Sequence, residues 1–236
     1  MKKIRKKILA LFYRIKNAIG PSKGPANAVF IWIPKNAGTS VFDSLRRGAG
    51  FVRLKRMREV KKTFKQQGRV SFVHISYQKL MENGFISKEF DESAYKFCFV
   101  RDPYERAVSL YRYFIKDNRI DEDMAFLDFC RLLDDSIDDI GLYNYTGFSQ
   151  CNPQVRWTEN LDIDFIGRQE NLGADYQALA AVFDIDELAM PHLNKTEGNE
   201  YEKYYCEETK QIVEAFYRED FEEYDYPLRA MEFDGE

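Results

Sequence analysis

Three stretches of this sequence carry side chains whose types and spacing suit chemistry on an anion. The first reads Pro34-Lys35-Asn36-Ala37-Gly38-Thr39-Ser40, between an apolar run and a helical pattern. Unpaired N–H groups of Asn36, Ala37, Gly38, Thr39 and Ser40 at a helix N-terminus, with the helix dipole behind them, make an anion site. Gly38 permits close backbone approach, Lys35 adds a point charge, and Thr39 and Ser40 add hydroxyl donors. The ligand to expect is a phosphate. The loop is not Walker A, G-x-x-x-x-G-K-[ST], because its lysine precedes the glycine and the leading glycine is absent. An ordinary turn with a solvent lysine is the plainer alternative.

The second stretch follows the apolar run Tyr95–Val100. Arg101 stands just beyond it, and Ser109 lies two helical turns past Asp102. An arginine fork and a hydroxyl there can grip a second anion, unless Arg101 is a plain ion-pair partner for a nearby carboxylate. Asp102 reads as a helix cap, with Pro103 at the first helical position and Glu105 at the third. The third stretch is His74, at the end of the run Val70–Ile75. An ordinary imidazole pKa of about 6.5 suits a general base, whereas a satisfied core histidine is the structural alternative.

The elements that position these groups follow from the pattern. Ala28–Ile33, Val70–Ile75, Tyr95–Val100 and Asp164–Gly167 read as buried strands, and Thr39–Arg47, Asp102–Lys116, 123–133, Leu172–Phe183 and Glu200–Glu219 as helices. Residues 53–67 read as a very basic helix or loop, and Asp134–Pro153 as irregular. Continuous apolar strands alternating with helices predict an α/β fold, a P-loop-like three-layer sandwich with a central parallel sheet flanked by helices. Ligands of such sheets bind beyond the carboxyl ends of the strands, where all three stretches stand.

Composition narrows the class. A 44% hydrophobic content and a net charge of −4 exclude a disordered chain. No apolar run approaches the roughly 20 residues of a membrane span. Two histidines and four cysteines without C-x-x-C spacing make no zinc site, so no metal is expected. Cys98 and Cys130 read as buried thiols; Cys151 and Cys206 are left as a candidate pair. The lack of a signal-peptide pattern predicts a reducing, cytoplasmic setting. Charge is segregated: residues 1–23 carry eight Lys/Arg and no acid, residues 46–69 carry ten and one acid, and residues 197–236 are acidic. The first of these clusters has Ile4, Ile8, Leu11, Ile15 and Ile19 at helical spacing, a basic amphipathic helix able to lie on an anionic membrane surface through residues 1–20 or to dock on the domain. The expected division is therefore a helix at 1–23 and a single catalytic domain at 24–236.

Pro34-Lys35-x-x-Gly38-Thr39-Ser40, followed by Val100-Arg101-Asp102-Pro103-Tyr104-x-Arg106-x-x-Ser109, resembles the Golgi-type (family 2) carbohydrate sulfotransferases that use PAPS, 3′-phosphoadenosine 5′-phosphosulfate. The resemblance implies that the first segment holds the 5′-phosphosulfate and that Arg101 and Ser109 hold the 3′-phosphate. His74-Ile75-Ser76-Tyr77 is similar to the H-x-S-Y stretch of the heparan sulfate uronyl 2-O-sulfotransferases, which implies His74 as the base. Phe165–Leu172, Pro191–Lys195 and Tyr204-Tyr205 resemble later blocks, with Lys195 and Thr196 as implied phosphate contacts. Arg168 and Glu170 read as a structural ion pair. The implied function is transfer of a sulfuryl group from PAPS to a carbohydrate hydroxyl, with His74 and Lys35 as the catalytic pair. The partner is then a carbohydrate or glycoconjugate and not nucleic acid. Arg46–Arg69 could border the acceptor, and Tyr143, Tyr145, Phe148 and Trp157 could stack on sugars or simply fill the core. Two other functions compete. A P-loop kinase or nucleotide phosphotransferase would need Mg²⁺ on Thr39, Ser40 or Asp102, and a non-catalytic anion- or membrane-binding module would need no turnover.

Overall fold

Every strand of the main sheet runs the same way. In the computed structural model, which describes residues 24–135, 142–143, 148–185, 201–231 and 233, five runs pair in parallel: β1 (Ala28–Ile31), β2 (Val52–Leu54), β3 (Arg69–Phe72), β4 (Tyr95–Val100) and β7 (Phe165–Arg168). Their order is β2-β3-β1-β4-β7. Val29 faces Val70 on one side and Lys96 on the other. A short antiparallel ribbon of β5 (Leu142–Tyr143) and β6 (Phe148–Ser149) lies outside this sheet. The three-layer α/β expectation is met.

Alternation along the strands sorts side chains onto two faces. Ala28, Phe30, Phe97 and Phe99 point to one face and pack with α1 (Gly38–Gly48) and α8 (Leu172–Phe183). Phe30 stacks on Phe97 with ring centroids 5.3 Å apart. Val29, Ile31, Val70, Cys98 and Val100 point to the other face. There they meet α5 (Pro103–Lys116), α6 (Phe126–Asp135), α9 (Glu207–Phe216) and α10 (Arg218–Glu223), with α2 (Met57–Thr63), α3 (Tyr77–Glu82) and α4 (Lys88–Ser93) toward the β2 side. Both faces are covered, which is why β1 is apolar throughout and β4 nearly so.

Several boundaries differ from expectation. The basic stretch contains a strand, β2, that shows no apolar run because it is an edge strand with Val52 and Arg53 exposed and only Leu54 buried. The C-terminal helix expected over Glu200–Glu219 is broken. It consists of a 3₁₀ turn at Glu202–Tyr204, then α9, then α10. Cys206 and Thr209 form a capping box that starts α9, and Tyr217, drawn inward to donate to the Cys151 carbonyl, separates α9 from α10. Cys151 and Cys206 are both free thiols, the first buried in the core and the second exposed, so they do not form the candidate pair. The helix expected at residues 1–23 lies outside the described residues. Among the described residues no helix is long and apolar enough to cross a membrane.

The topology sets the site. From β1 the chain moves outward to β2, returns to β3, then crosses to β4 on the opposite side of β1. The strand order therefore reverses between β1 and β4, and the crevice beyond their carboxyl ends is where such sheets bind ligands. Pro34–Ser40 leaves β1 there, and Arg101 leaves β4 there.

Candidate functional site

The loop after β1 is shaped by two non-glycine residues in left-handed conformation, Lys35 (φ 71°) and Ala37 (φ 56°). Alternation of this kind turns successive N–H groups into one concavity suited to an anion. Val41 makes the first helical bond, to the Ala37 carbonyl. The N–H groups of Gly38, Thr39 and Ser40 precede it, in the turn that has no intrahelical acceptors. Gly38 is required by packing: a Cβ there would stand 2.0 Å from the Trp32 indole nitrogen. Asn36 does not offer its side chain to a ligand. Its amide is buried and donates to the Phe99 carbonyl (2.8 Å) and to Gln154 Oε1 (2.6 Å).

Gln154 precedes α7 (Val155–Thr158) and is fully buried. Its side chain pairs with the Arg101 peptide in both directions. Oε1 accepts from Arg101 N–H at 2.9 Å, and Nε2 donates to the Arg101 carbonyl at 2.8 Å. Its own N–H donates to Asp220. Arg106 adds a second tie, with its guanidinium donating to the carbonyls of Pro34, Gln150 and Asn152 while it lies over the Tyr217 ring. Glu170 adds a third by accepting from Asp102 N–H at 2.6 Å. Of these, Gln154 left no signal in the sequence. Arg106 stands in the Val100–Ser109 motif of the resemblance with no role assigned to it, and Glu170 was expected only as an ion-pair partner of Arg168.

Arg168 and Glu170 are not bonded to each other. The Arg168 guanidinium donates to the Tyr224 carbonyl and lies over the Tyr226 ring, while Glu170 braces Asp102 and accepts from Tyr226. The expected ion pair is thus two separate struts. Asp102 caps α5 as expected, accepting from Tyr104 and Glu105 N–H, and it also pairs with Arg229 at 2.6 Å.

The Lys35 ammonium sits 4.4 Å from the Tyr113 ring centre. Burial first, and then the nearby charges of Arg101 and Lys116, lower its pKa to about 8. Arg101 is nine-tenths buried and donates to Glu105 at 2.9 Å and to the Lys35 carbonyl at 3.5 Å. Ser109 lies half-buried one turn past Glu105 and one turn before Tyr113 on the same face of α5. The structure thus brings Lys35, Arg101 and Ser109 to one crevice. Lys195 and Thr196 lie outside the described residues.

His74 follows β3 with φ 54°. Its ring stands edge-on to Trp32, with centroids 5.7 Å apart. Its pKa is pushed down to about 4, chiefly by burial, with the charges of Lys35, Arg119 and Lys55 acting in the same direction and a hydrogen bond with the Trp32 main chain opposing them. The basic stretch after β2 therefore does reach the histidine, through Lys55. An unfolded histidine protonates below about 6.5 and the folded one only near 4, so His74 withdraws stability as pH falls through that window. Lys35 acts in the same sense in a higher window. The unfolded lysine holds its proton to about 10.5 and the folded one to about 8, so the fold gains stability as pH rises between them. Ser76 caps α3, and Ile75, Ser76 and Tyr77 are all buried, so His74, partly buried, is the most exposed residue of its motif. Trp157 is a core residue and is not available for stacking on a sugar. The side chains of Tyr143, Tyr145 and Phe148 lie outside the described residues.

With this geometry in hand, comparisons identify the family. The model of the "Sulfotransferase family" matches residues 23–227. No curated protein matches the chain. Among solved structures, the chain is similar to mouse sulfotransferase SULT7A1 complexed with PAP, at TM-score 0.55 and 12% identity, over 85% of this chain and 86% of that one. It is also similar to a sulfotransferase from Alicyclobacillus acidocaldarius, at TM-score 0.47 and 12% identity, over 85% of this chain and 99% of that one. The mouse protein shares the fold.

Gln154→Leu strips acceptors and donors from Arg101 and Asn36 at once. Leaving buried polar groups unpaired costs about 2–5 kcal/mol, which lowers Tm by roughly 5–15 °C. Hydrogen exchange of residues 35–41 and 101 should accelerate together. A Tm within a degree of the parent and unchanged exchange would show that the loop is held by something else.

Proposed function

Because the chain belongs to the sulfotransferase family, we propose that it transfers a sulfuryl group from PAPS to a hydroxyl of a carbohydrate acceptor, with His74 as base and Lys35 as the charge-neutralising group. The carrying observation is that the Arg101 guanidinium donates to the carbonyl of Lys35 in the loop that opens α1, where burial first, and then the charges of Arg101 and Lys116, lower the lysine pKa to about 8. An anion in that crevice relieves the mutual repulsion. The PAP held by mouse SULT7A1, the desulfated product of the proposed donor, supports the same donor here.

The chain's residues then have these roles. The N–H groups of residues 36–40 bind the 5′-phosphosulfate, and Arg101 and Ser109 bind the 3′-phosphate. Lys195 and Thr196, by resemblance, add phosphate contacts. Lys35 is charged at neutral pH and neutralises the charge that builds on the departing phosphate oxygen. His74 is neutral at that pH, so its imidazole has a lone pair to take the acceptor's proton. As the acceptor oxygen bonds to sulfur, the bond from sulfur to the phosphate oxygen breaks and PAP leaves; positioning and charge neutralisation dominate, as in phosphoryl transfer. Bringing a polyanion beside His74 offsets Lys35 and Lys55 and raises the imidazole pKa, which makes it a stronger base when the donor is bound. The basic stretch ending near His74 supports a carbohydrate with anionic groups. The kinase alternative is weaker because Asp102, its one carboxylate candidate for Mg²⁺, is committed to the α5 cap and Arg229.

Transfer of ³⁵S from labelled PAPS to a panel of glycans tests the proposal. His74→Ala should lower kcat by about 10²–10⁴-fold, while PAP still raises Tm. A retained kcat removes the base assignment. For the parent enzyme, kcat/KM for the donor reports the free protein. It should form a bell whose acid limb lies near pH 4, where His74 protonates, and whose alkaline limb lies near pH 8, where Lys35 deprotonates. An acid limb near 6.5 would contradict the enclosed environment of His74.

A further inference from the structure

Arg101 is anchored at its root and under-used at its tip. Both polar atoms of its peptide are held by Gln154. Its side chain is 11% exposed, and its Nε is buried with no hydrogen-bond partner among the described residues. One Nη reaches the Lys35 carbonyl at 3.5 Å, the outer limit of a hydrogen bond. The strong contact is the other Nη to Glu105 Oε2, at 2.9 Å.

Glu105 is not where its position would send it. An acid at the third residue of a helix ordinarily turns back to the N–H of the cap residue. Here that N–H, on Asp102, is taken by Glu170 Oε1 at 2.6 Å. With its usual acceptor role filled from β7, Glu105 turns to Arg101 instead. Its side chain is 23% exposed, so it has a path to water when it lets go. It stands one turn before Ser109, on the face of α5 that carries Tyr113 under Lys35.

We propose that Glu105 is a positioning residue that acts as a resident counter-ion: it occupies the Arg101 fork in the free protein and must be displaced when a phosphate binds there. The proposal rests on the donor reading above. It makes Glu105 a brake on nucleotide affinity, with two consequences. It keeps Arg101 aligned before binding, and its carboxylate repels an incoming phosphate until it swings out. Product release is helped by the same competition, because Glu105 returns to the fork as the nucleotide leaves.

Isothermal titration of the full chain with PAP and with 5′-AMP, which lacks the 3′-phosphate, tests this. Glu105→Gln keeps the size and removes the charge. It should tighten PAP by about three- to thirtyfold, the range for a charge-assisted contact in a partly buried site, and leave 5′-AMP within twofold. Glu105→Asp, which withdraws the carboxylate from Arg101 while keeping a first-turn acid, should tighten PAP by less in the same direction and guards against a Gln variant that folds poorly. If the parent binds PAP and both variants bind it equally or more weakly, Glu105 is a structural strut and the proposal falls. A gain shared equally by PAP and 5′-AMP also overturns it, since the brake would then not act at Arg101. If neither parent nor variant binds PAP, the donor reading falls with it.

Discussion

Gln154 bonds to both polar atoms of the Arg101 peptide and to the amide of Asn36. The loop after β1 and the end of β4 are thereby tied across the crevice by one buried side chain. A site that binds an anion through backbone N–H groups has to be stiff, because each N–H must already point at the ligand. Left alone, the loop would be a poor candidate for stiffness: it contains two non-glycine residues with positive φ, each costing of order 1–3 kcal/mol. The bonds of Asn36 to Phe99 and Gln154, and of Arg106 to the Pro34 carbonyl, over-determine that conformation. Asp220 holds the N–H groups of Gln154 and Val155, so the tie extends into α10 at the C-terminal end of the described fold.

The same stiffness explains the electrostatics. Lys35 and Arg101 are held together largely out of water, where charges repel strongly and solvate poorly, and the charge of the exposed Lys116 adds to the field. The ligand-free fold tolerates this by local compensation. Lys35 leans on the Tyr113 ring and Arg101 pairs with Glu105. His74 accommodates the field by staying neutral. In the proposed reaction a polyanionic donor would meet all three at once, coupling binding and catalysis through charge. Burial and the surrounding positive charge keep His74 unprotonated, and on the proposed reading its basicity rises when the donor's negative charge arrives.

The fold class, the strands β1 and β4 and the long helix α5 were legible because burial on both sheet faces leaves long apolar runs, and because Asp102-Pro103 is an explicit helix start; β3 and β7 were legible as shorter runs of the same kind. Strand β2 was not, since an edge strand with a single buried side chain has no such run. The convergence of the loop at residues 34–40 with Arg101 was legible because both follow strands of a parallel sheet, whose ligands bind beyond the carboxyl ends, and Ser109 from helical spacing. The residues that hold them were not. Gln154 lies in a stretch without periodic pattern, and its role exists only once β4 and α7 are folded against each other. Glu105 and Glu170 illustrate the limit differently. Local rules send Glu105 to the cap, and a residue 65 positions away takes that place, a long-range exchange that local spacing does not encode.

The central claim is that the crevice between β1 and β4 holds the sulfuryl donor. A crystal structure of the complex with PAP, grown without divalent metal, addresses it most directly. The account predicts the 5′-phosphate on the N–H groups of residues 36–40 beside Lys35, and the 3′-phosphate on Arg101 and Ser109 with Glu105 turned to solvent. A nucleotide bound elsewhere, or in this crevice with its 3′-phosphate away from Arg101, would contradict it.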